Sequence, residues 1–152
     1  MLFRSFEVKG EPNGILIVDD YSHHPTEIVA ALAAARSLGR RIVAVFQPHR
    51  FTRTRALMEA FGPAFADADH VVVTDIYAAG EDPIAGVTVE ALAAAMRRGT
   101  RAPVDVVPAL EGVVAAIVRV AKPGDVVLTL GAGSIGTIPD RLLEALTRAG
   151  AR

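Results

Sequence analysis

Five side chains able to bind ligands or exchange protons stand within six positions at Asp19-Asp20-Tyr21-Ser22-His23-His24, directly ahead of Pro25. Carboxylates at the end of a strand can accept from ribose hydroxyls or help hold Mg²⁺, and a following helix start offers backbone N–H groups to an anion. A second group, Gln47-Pro48-His49-Arg50-Phe51-Thr52-Arg53, follows a run of nearly pure hydrocarbon, and Arg55 comes soon after. Arginine presents planar paired donors that match carboxylate or phosphate. Positive charge in a first helical turn opposes the helix dipole, so His49, Arg50 and Arg53 read better as an anion clamp than as a solvated helix start. Asp75-Ile76-Tyr77-Ala78-Ala79-Gly80-Glu81 and Gly131-Ala132-Gly133-Ser134 complete a set of four polar groups, each just past a short apolar run.

Each group also has a plainer reading. Asp19 or Asp20 can simply cap a turn, since Asp is a common turn former. His23 and His24 are neighbours, and adjacent side chains of an extended chain point to opposite sides, which argues against one metal ion held by both. Gly131-Ala132-Gly133-Ser134-Ile135-Gly136 satisfies G-x-G-x-x-G, but a dinucleotide fingerprint needs a further strand and an acidic residue about 20 positions on. Only residues 137–152 follow, too few for that unit. The glycines still allow close backbone approach, with the N–H groups of Gly133 and Ser134 available to a carboxylate or phosphate; a simple tight turn is the equal alternative. His70 reads as an ordinary loop histidine, and Glu81 as either a site residue or part of a solvated acidic loop.

These groups need a frame that brings them together. Residues 3–8 and 15–18 are extended in character and separated by Lys9-Gly10-Glu11-Pro12-Asn13-Gly14, whose Asn-Gly is a turn signal, so an N-terminal β-hairpin is expected. Helical spacing of Ile28, Val29, Leu32 and Ala35 predicts a helix over 25–36, with Pro25 in its first turn. Strand then helix repeats over 42–46 and 54–66, 71–74 and 89–98, 104–107 and 110–120, and 126–130 and 139–149. Such alternation implies right-handed crossovers and a mostly parallel sheet with helices on both faces. The expected fold is a single Rossmann-like α/β domain over residues 1–152, its sheet five- to six-stranded. In open sheets of this kind ligands bind at the carboxyl ends of the strands, where all four polar groups would converge.

Composition limits the possible functions. Half of the 152 residues are hydrophobic, which suits one well-filled core. Sixteen Lys and Arg against seventeen Asp and Glu leave a formal net charge of −1, without the basic footprint of a nucleic-acid binder. The absence of cysteine excludes a disulfide framework, a thiolate nucleophile and Cys-ligated zinc. No apolar stretch approaches the ~20 residues of a membrane span, and no signal-peptide core follows Met1, so a soluble cytoplasmic domain is expected.

Taken in order and spacing, Asp19-Asp20-Tyr21-Ser22-His23-His24-Pro25-Thr26-Glu27, Phe46-Gln47-Pro48-His49-Arg50-Phe51-Thr52-Arg53-Thr54-Arg55, Tyr77-Ala78-Ala79-Gly80-Glu81 and Gly131-Ala132-Gly133-Ser134 resemble the C-terminal domain of the Mur ligases. The resemblance covers essentially the whole chain. Within that family the second and third motifs favour the branch that adds L-alanine to UDP-N-acetylmuramate over the tripeptide-recycling muropeptide ligases. The resemblance implies a three-domain, ATP-dependent amide synthetase of peptidoglycan assembly. There ATP with Mg²⁺ phosphorylates the sugar carboxylate, the alanine amine attacks the acyl phosphate, and this domain closes as a lid. By the same resemblance Asp20 contacts the ATP ribose. Tyr21, His23, His49, Arg50 and Arg53 line the cleft for alanine and the reacting groups, with the loop of Gly131, Ala132, Gly133 and Ser134 nearby. The chain has no G-x-x-x-x-G-K-[ST] phosphate loop, and no N-terminal sugar-nucleotide domain or central ATPase domain is recognised. It is therefore expected to be inactive alone, as an excised or split piece of a longer ligase. A stand-alone nucleotide- or anion-binding regulatory module is the alternative.

Overall fold

A computed structural model of the chain describes residues 6–150. Its strands are β1 (Glu7–Gly10), β2 (Leu16–Asp20), β3 (Ile42–Phe46), β4 (His70–Val73), β5 (Val104–Val106) and β6 (Val126–Leu130). Its helices are α1 (Pro25–Arg36), α2 (Phe51–Leu57), α3 (Phe61–Ala64), α4 (Val89–Gly99), α5 (Val113–Val120) and α6 (Ile138–Gly150). The strands form one sheet in the order β1-β2-β6-β3-β4-β5, and only β1 runs antiparallel to its neighbour. Every residue of β3 and β6 is buried, as nearly continuous apolar runs in a covered parallel sheet should be.

The order of the strands fixes which face each helix covers. From β2 to β3, β3 to β4 and β4 to β5 the chain steps the same way across the sheet. Helices α1, α3 and α4 then pack on one face over Val18, Ala44, Phe46, Val73 and Leu128. From β5 the chain steps back to place β6 between β2 and β3. A right-handed crossover in the reverse direction must use the other face, and α5 and α6 cover Ile17, Val43, Val45 and Val127 there. Phe46, whose ring lies 5.2 Å from those of Phe61 and Phe65, anchors the end of β3 just before the polar group begins. Removing such a ring would cost about 3–5 kcal/mol.

Three expected elements differ by more than the one or two residues seen at other element ends, where β2, for example, runs from Leu16 to Asp20 and so includes Asp19 and Asp20. The hairpin is present, but β1 reaches Gly10, so Lys9 and Gly10 belong to the strand and the turn is shorter; positions 3–5 of the expected strand lie outside the described residues. Asn13 takes φ 55° and Gly14 φ 77°, the left-handed pair that an Asn-Gly turn favours. The single helix expected over 54–66 starts earlier, at Phe51, and breaks into α2, a 3₁₀ turn (Met58–Ala60) and α3. Pro63 explains the break, because its ring and missing N–H are incompatible with a continuous helix. A 3₁₀ turn over Leu110–Gly112 likewise precedes α5.

Candidate functional site

Four parallel strands end level with one another. Leu130 of β6 pairs with Asp20 of β2 on one side and Phe46 of β3 on the other, and Phe46 pairs with Val73 of β4. Three further backbone bonds carry the ladder one residue past the row: Gly131 N–H to Asp20 C=O at 3.2 Å, Gln47 N–H to Leu130 C=O at 3.0 Å, and Thr74 N–H to Phe46 C=O at 3.0 Å. The four polar groups therefore meet on one edge, as their sequence positions predict. The loop after β6 turns to one face while those after β2 and β3 turn to the other, which opens the ligand crevice typical of such a switch point.

The arginine loop is built under strain. Arg50 has φ 72° and ψ 142°, a conformation that L residues rarely adopt and that costs about 1–3 kcal/mol. Its N–H donates to Tyr77 C=O at 2.8 Å, while Tyr77 N–H donates to Pro48 C=O at 2.8 Å. Thr54 closes the other side, its N–H and hydroxyl donating to Arg50 C=O at 3.2 and 2.8 Å. Helix α2 begins at the next residue, and the expected clash of positive charge with its dipole is met by Glu81, whose carboxylate accepts from Thr52 N–H at 3.1 Å and Thr52 Oγ1 at 2.5 Å. Those bonds hold the Glu81 carboxyl below its usual range. Within the described residues Arg50 makes no ion pair, and Nη1 of Arg53 is buried with no hydrogen-bond partner.

His49 lies at the centre. Its ring stacks on Tyr77 with centroids 5.5 Å apart and planes at 21°, and the His23 ring lies 5.3 Å away, tilted by 46°. Nδ1 of His49 is buried without a partner. Burial, with the nearby His23, Arg53 and Arg50, depresses its pKa against a smaller opposing pull from Glu81, which favours the neutral ring. A histidine whose pKa is depressed and two arginines without an ion pair among the described residues therefore share one edge, a set suited to an anionic group that also carries a titrating nitrogen.

The first polar group divides its labour. Tyr21 is 66% exposed at the edge, whereas Asp20 is 2% exposed and its Oδ1 accepts from both the N–H and hydroxyl of Ser22, closing a turn. The backbone N–H groups expected to be open to an anion at the start of α1 are taken up by the chain itself. Glu27 accepts from His23 and His24 N–H at 3.2 and 3.1 Å, and Nδ1 of His24 accepts from Thr26 N–H at 3.2 Å. Although burial raises the Glu27 carboxyl, these bonds and the two imidazoles bring it below its usual range. His24 is thus a helix cap, and no group of three His, Cys, Asp or Glu among the described residues is arranged to hold a metal.

Two positions of this edge belong to the polar groups but had no site role assigned to them. Gln47, 5% exposed, donates from Nε2 to Ser134 Oγ at 2.9 Å and accepts at Oε1 from Ile135 N–H at 3.0 Å, bracing the Gly131-to-Ser134 loop. A polar residue directly after a wholly buried strand is the signal that marks it. Asp19 lines a cleft of about 290 Å³ with Glu7, Tyr21, Gly131, Ala132 and Gly133. Burial raises its carboxyl above the usual range, against a 2.6 Å bond from Thr129 Oγ1. His70 is not the loop histidine expected: it is the first residue of β4, at the end of the strand opposite this edge, with its Nε2 2.7 Å from Asp105 Oδ2.

Residues 5–133 match the family model described as Mur ligase, glutamate ligase domain. A UDP-N-acetylmuramate–L-alanine ligase of Geotalea daltonii is 54% identical over 147 residues, 96% of this chain and 32% of that protein. A UDP-N-acetylmuramate–alanine ligase of Thermotoga maritima has a similar structure, with TM-score 0.77 and 27% identity over 96% of this chain and 30% of that one. A murein peptide ligase of Psychrobacter arcticus superposes with TM-score 0.76 and 25% identity over 95% and 30% of the respective chains. The chain spans about a third of the length of the curated relatives it matches.

Proposed function

The chain belongs to the Mur ligase family, and from that premise we propose that it is the amino-acid-binding, lid-forming domain of a UDP-N-acetylmuramate–L-alanine ligase of the cytoplasm. The whole enzyme would join L-alanine to the sugar nucleotide during peptidoglycan synthesis. ATP phosphorylates the lactyl carboxylate, the alanine amine attacks the acyl phosphate, and inorganic phosphate leaves as the amide forms. The observation that carries this reading is a pair of arginines without an ion pair among the described residues, beside His49 with its buried, unpartnered Nδ1 at the carboxyl ends of the strands, in a chain 54% identical to such a ligase.

Arg50 and Arg53 would meet the alanine carboxylate and the charge that develops on the phosphoryl group, where preorganised donors have their largest effect. His49, uncharged, would accept a hydrogen bond from the amine. Tyr21 and His23 would wall the cleft, Asp20 would take the ATP ribose, and the Gly131, Ala132, Gly133 and Ser134 loop would approach the reactants with its backbone. No group of three His, Cys, Asp or Glu among the described residues could hold a metal ion. Magnesium, the phosphate-cradling loop and the sugar-nucleotide site are assigned to the two partner domains, and closure onto them would exclude water from the acyl phosphate. The chain alone would then be inactive.

The test is a graft in which this chain replaces the corresponding third of the Geotalea daltonii ligase. ADP release that requires both UDP-N-acetylmuramate and L-alanine is the expected result. Arg50→Ala and Arg53→Ala should each lower kcat/KM by roughly 10²- to 10³-fold, the usual effect of losing a charge-stabilising donor. Wild-type rates in both variants would overturn the assignment. Tight ATP binding by the chain without its partners would favour a nucleotide-binding regulatory module instead.

A further inference from the structure

We propose that Glu81 is a positioning residue for Arg50, holding the arginine in its strained backbone conformation by fastening the start of α2 to the segment after β4. This rests on the reading of Arg50 as a substrate-facing arginine. A residue at φ 72° and ψ 142° relaxes unless its surroundings over-determine it. Upstream, the pairing of Tyr77 with Pro48 and with Arg50 fixes the loop by two 2.8 Å bonds. Downstream, the first residues of α2 have no cap of their own, since Arg50 stands at the N-cap without a side-chain bond. Glu81 supplies that cap from 29 positions away, with one carboxylate oxygen on Thr52 N–H and the other on Thr52 Oγ1.

The geometry of Glu81 itself separates it from a salt-bridge partner. It lies close enough to Arg50 for their charges to interact, yet both its oxygens are directed to Thr52 and the two residues form no ion pair. The carboxylate therefore sets where the arginine sits and leaves the guanidinium available. The segment that bears it is held in turn: Glu81 N–H donates to Ala78 C=O at 3.0 Å, and Ala79 and Gly80 both take positive φ to form the turn. Tyr77, four residues before Glu81, stacks on His49. Tyr77 thus serves His49, while Glu81 serves the start of α2 directly after Arg50.

The experiment uses the grafted three-domain ligase and steady-state rates with L-alanine varied. Glu81→Ala is expected to lower kcat/KM for alanine about 10- to 100-fold, the scale of effect of misplacing a positioned group by about 1 Å, with the KM for ATP unchanged. Thr52→Val, which removes only the hydroxyl bond, should give a smaller loss in the same parameter, and Thr52→Ser should restore it. The decisive comparison is Glu81→Ala made in the Arg50→Ala background, where no further loss is expected because the residue acts through that arginine. An undiminished loss there would overturn the proposal, as would Glu81→Ala and Thr52→Val both within about twofold of wild type while Arg50→Ala is impaired. Wild-type behaviour of Arg50→Ala itself would remove the functional reading and this inference together. The Thr52 pair, on an exposed side chain, keeps the test open if Glu81→Ala fails to fold.

Discussion

Gln47 and Ser134, 87 positions apart in the chain, are joined by a 2.9 Å hydrogen bond that ties the arginine loop to the glycine loop. The same Gln47 amide accepts from the N–H of Ile135, a residue with no solvent exposure. Gln47→Leu preserves bulk but leaves that N–H unpaired, a loss of about 1–3 kcal/mol. Thermal denaturation should show it as a fall of about 2–4 °C per kcal/mol for a chain of this size. An unchanged midpoint would mean that the two loops are held by something other than this amide.

Arg50 offers a case where stability and activity should move in opposite directions. Glycine adopts positive φ without steric cost, so Arg50→Gly relieves strain, partly offset by the greater freedom of glycine in the unfolded chain. A net gain of about 1 kcal/mol is expected. Arg50→Ala keeps the strain and should not gain. Both lack the guanidinium, and both should lose ligase turnover in the graft. Equal midpoints for the two variants would show that the backbone at Arg50 is not under strain.

His49 should titrate below the 6.5 of an ordinary histidine, chiefly through burial and then through the nearby positive groups. As pH falls below about 6.5 the unfolded chain therefore takes up the proton first. His49 contributes a loss of stability that grows as pH drops from there to its folded pKa and levels off below it. A ring-proton NMR titration of this chain measures the value directly. Arg53→Ala removes one of the positive groups and should move it upward; no movement would separate His49 from Arg53 electrostatically.

What the sequence makes legible is local. Pro25–Arg36, Ile42–Phe46 and Val126–Leu130 have the bounds their periodicity predicts, because side chains three, four or two apart report directly on a helix face or a buried strand. Convergence of the four polar groups follows from parallel pairing alone. The insertion of β6 between β2 and β3 depends on contacts over a hundred positions apart, as between Thr129 Oγ1 and Asp19 Oδ1, and no local pattern reports it. Nor does residue type reveal that His24 and Glu27 serve the start of α1, or that Glu81 serves α2. Each of those roles is decided by where a carbonyl or N–H lies in space. Pro63 is the exception, a break that its ring announces and that apolar spacing alone passes over.

The G-x-G-x-x-G run yields a final prediction that separates this loop from a dinucleotide fingerprint, in which the third glycine is needed for close packing of helix on strand. Here the third is Gly136, and a Cβ built on it meets nothing within 4 Å. At Gly133 a Cβ would lie 2.5 Å from Cγ of Tyr77 and 2.8 Å from Oε1 of Gln47, and at Gly131 it would lie 2.7 Å from Ile135 and 3.1 Å from the Gln47 carbonyl. Gly136→Ala should therefore be neutral in midpoint and in turnover of the graft. Gly131→Ala and Gly133→Ala should each cost about 1–3 kcal/mol through forced repacking. Because the groups displaced are the Tyr77 ring that stacks on His49 and the Gln47 that holds Ser134, turnover should fall further than stability does. Loss at Gly136 equal to that at Gly133 would instead point to helix–strand packing as the purpose of the glycines, and would detach the loop from the arginine edge.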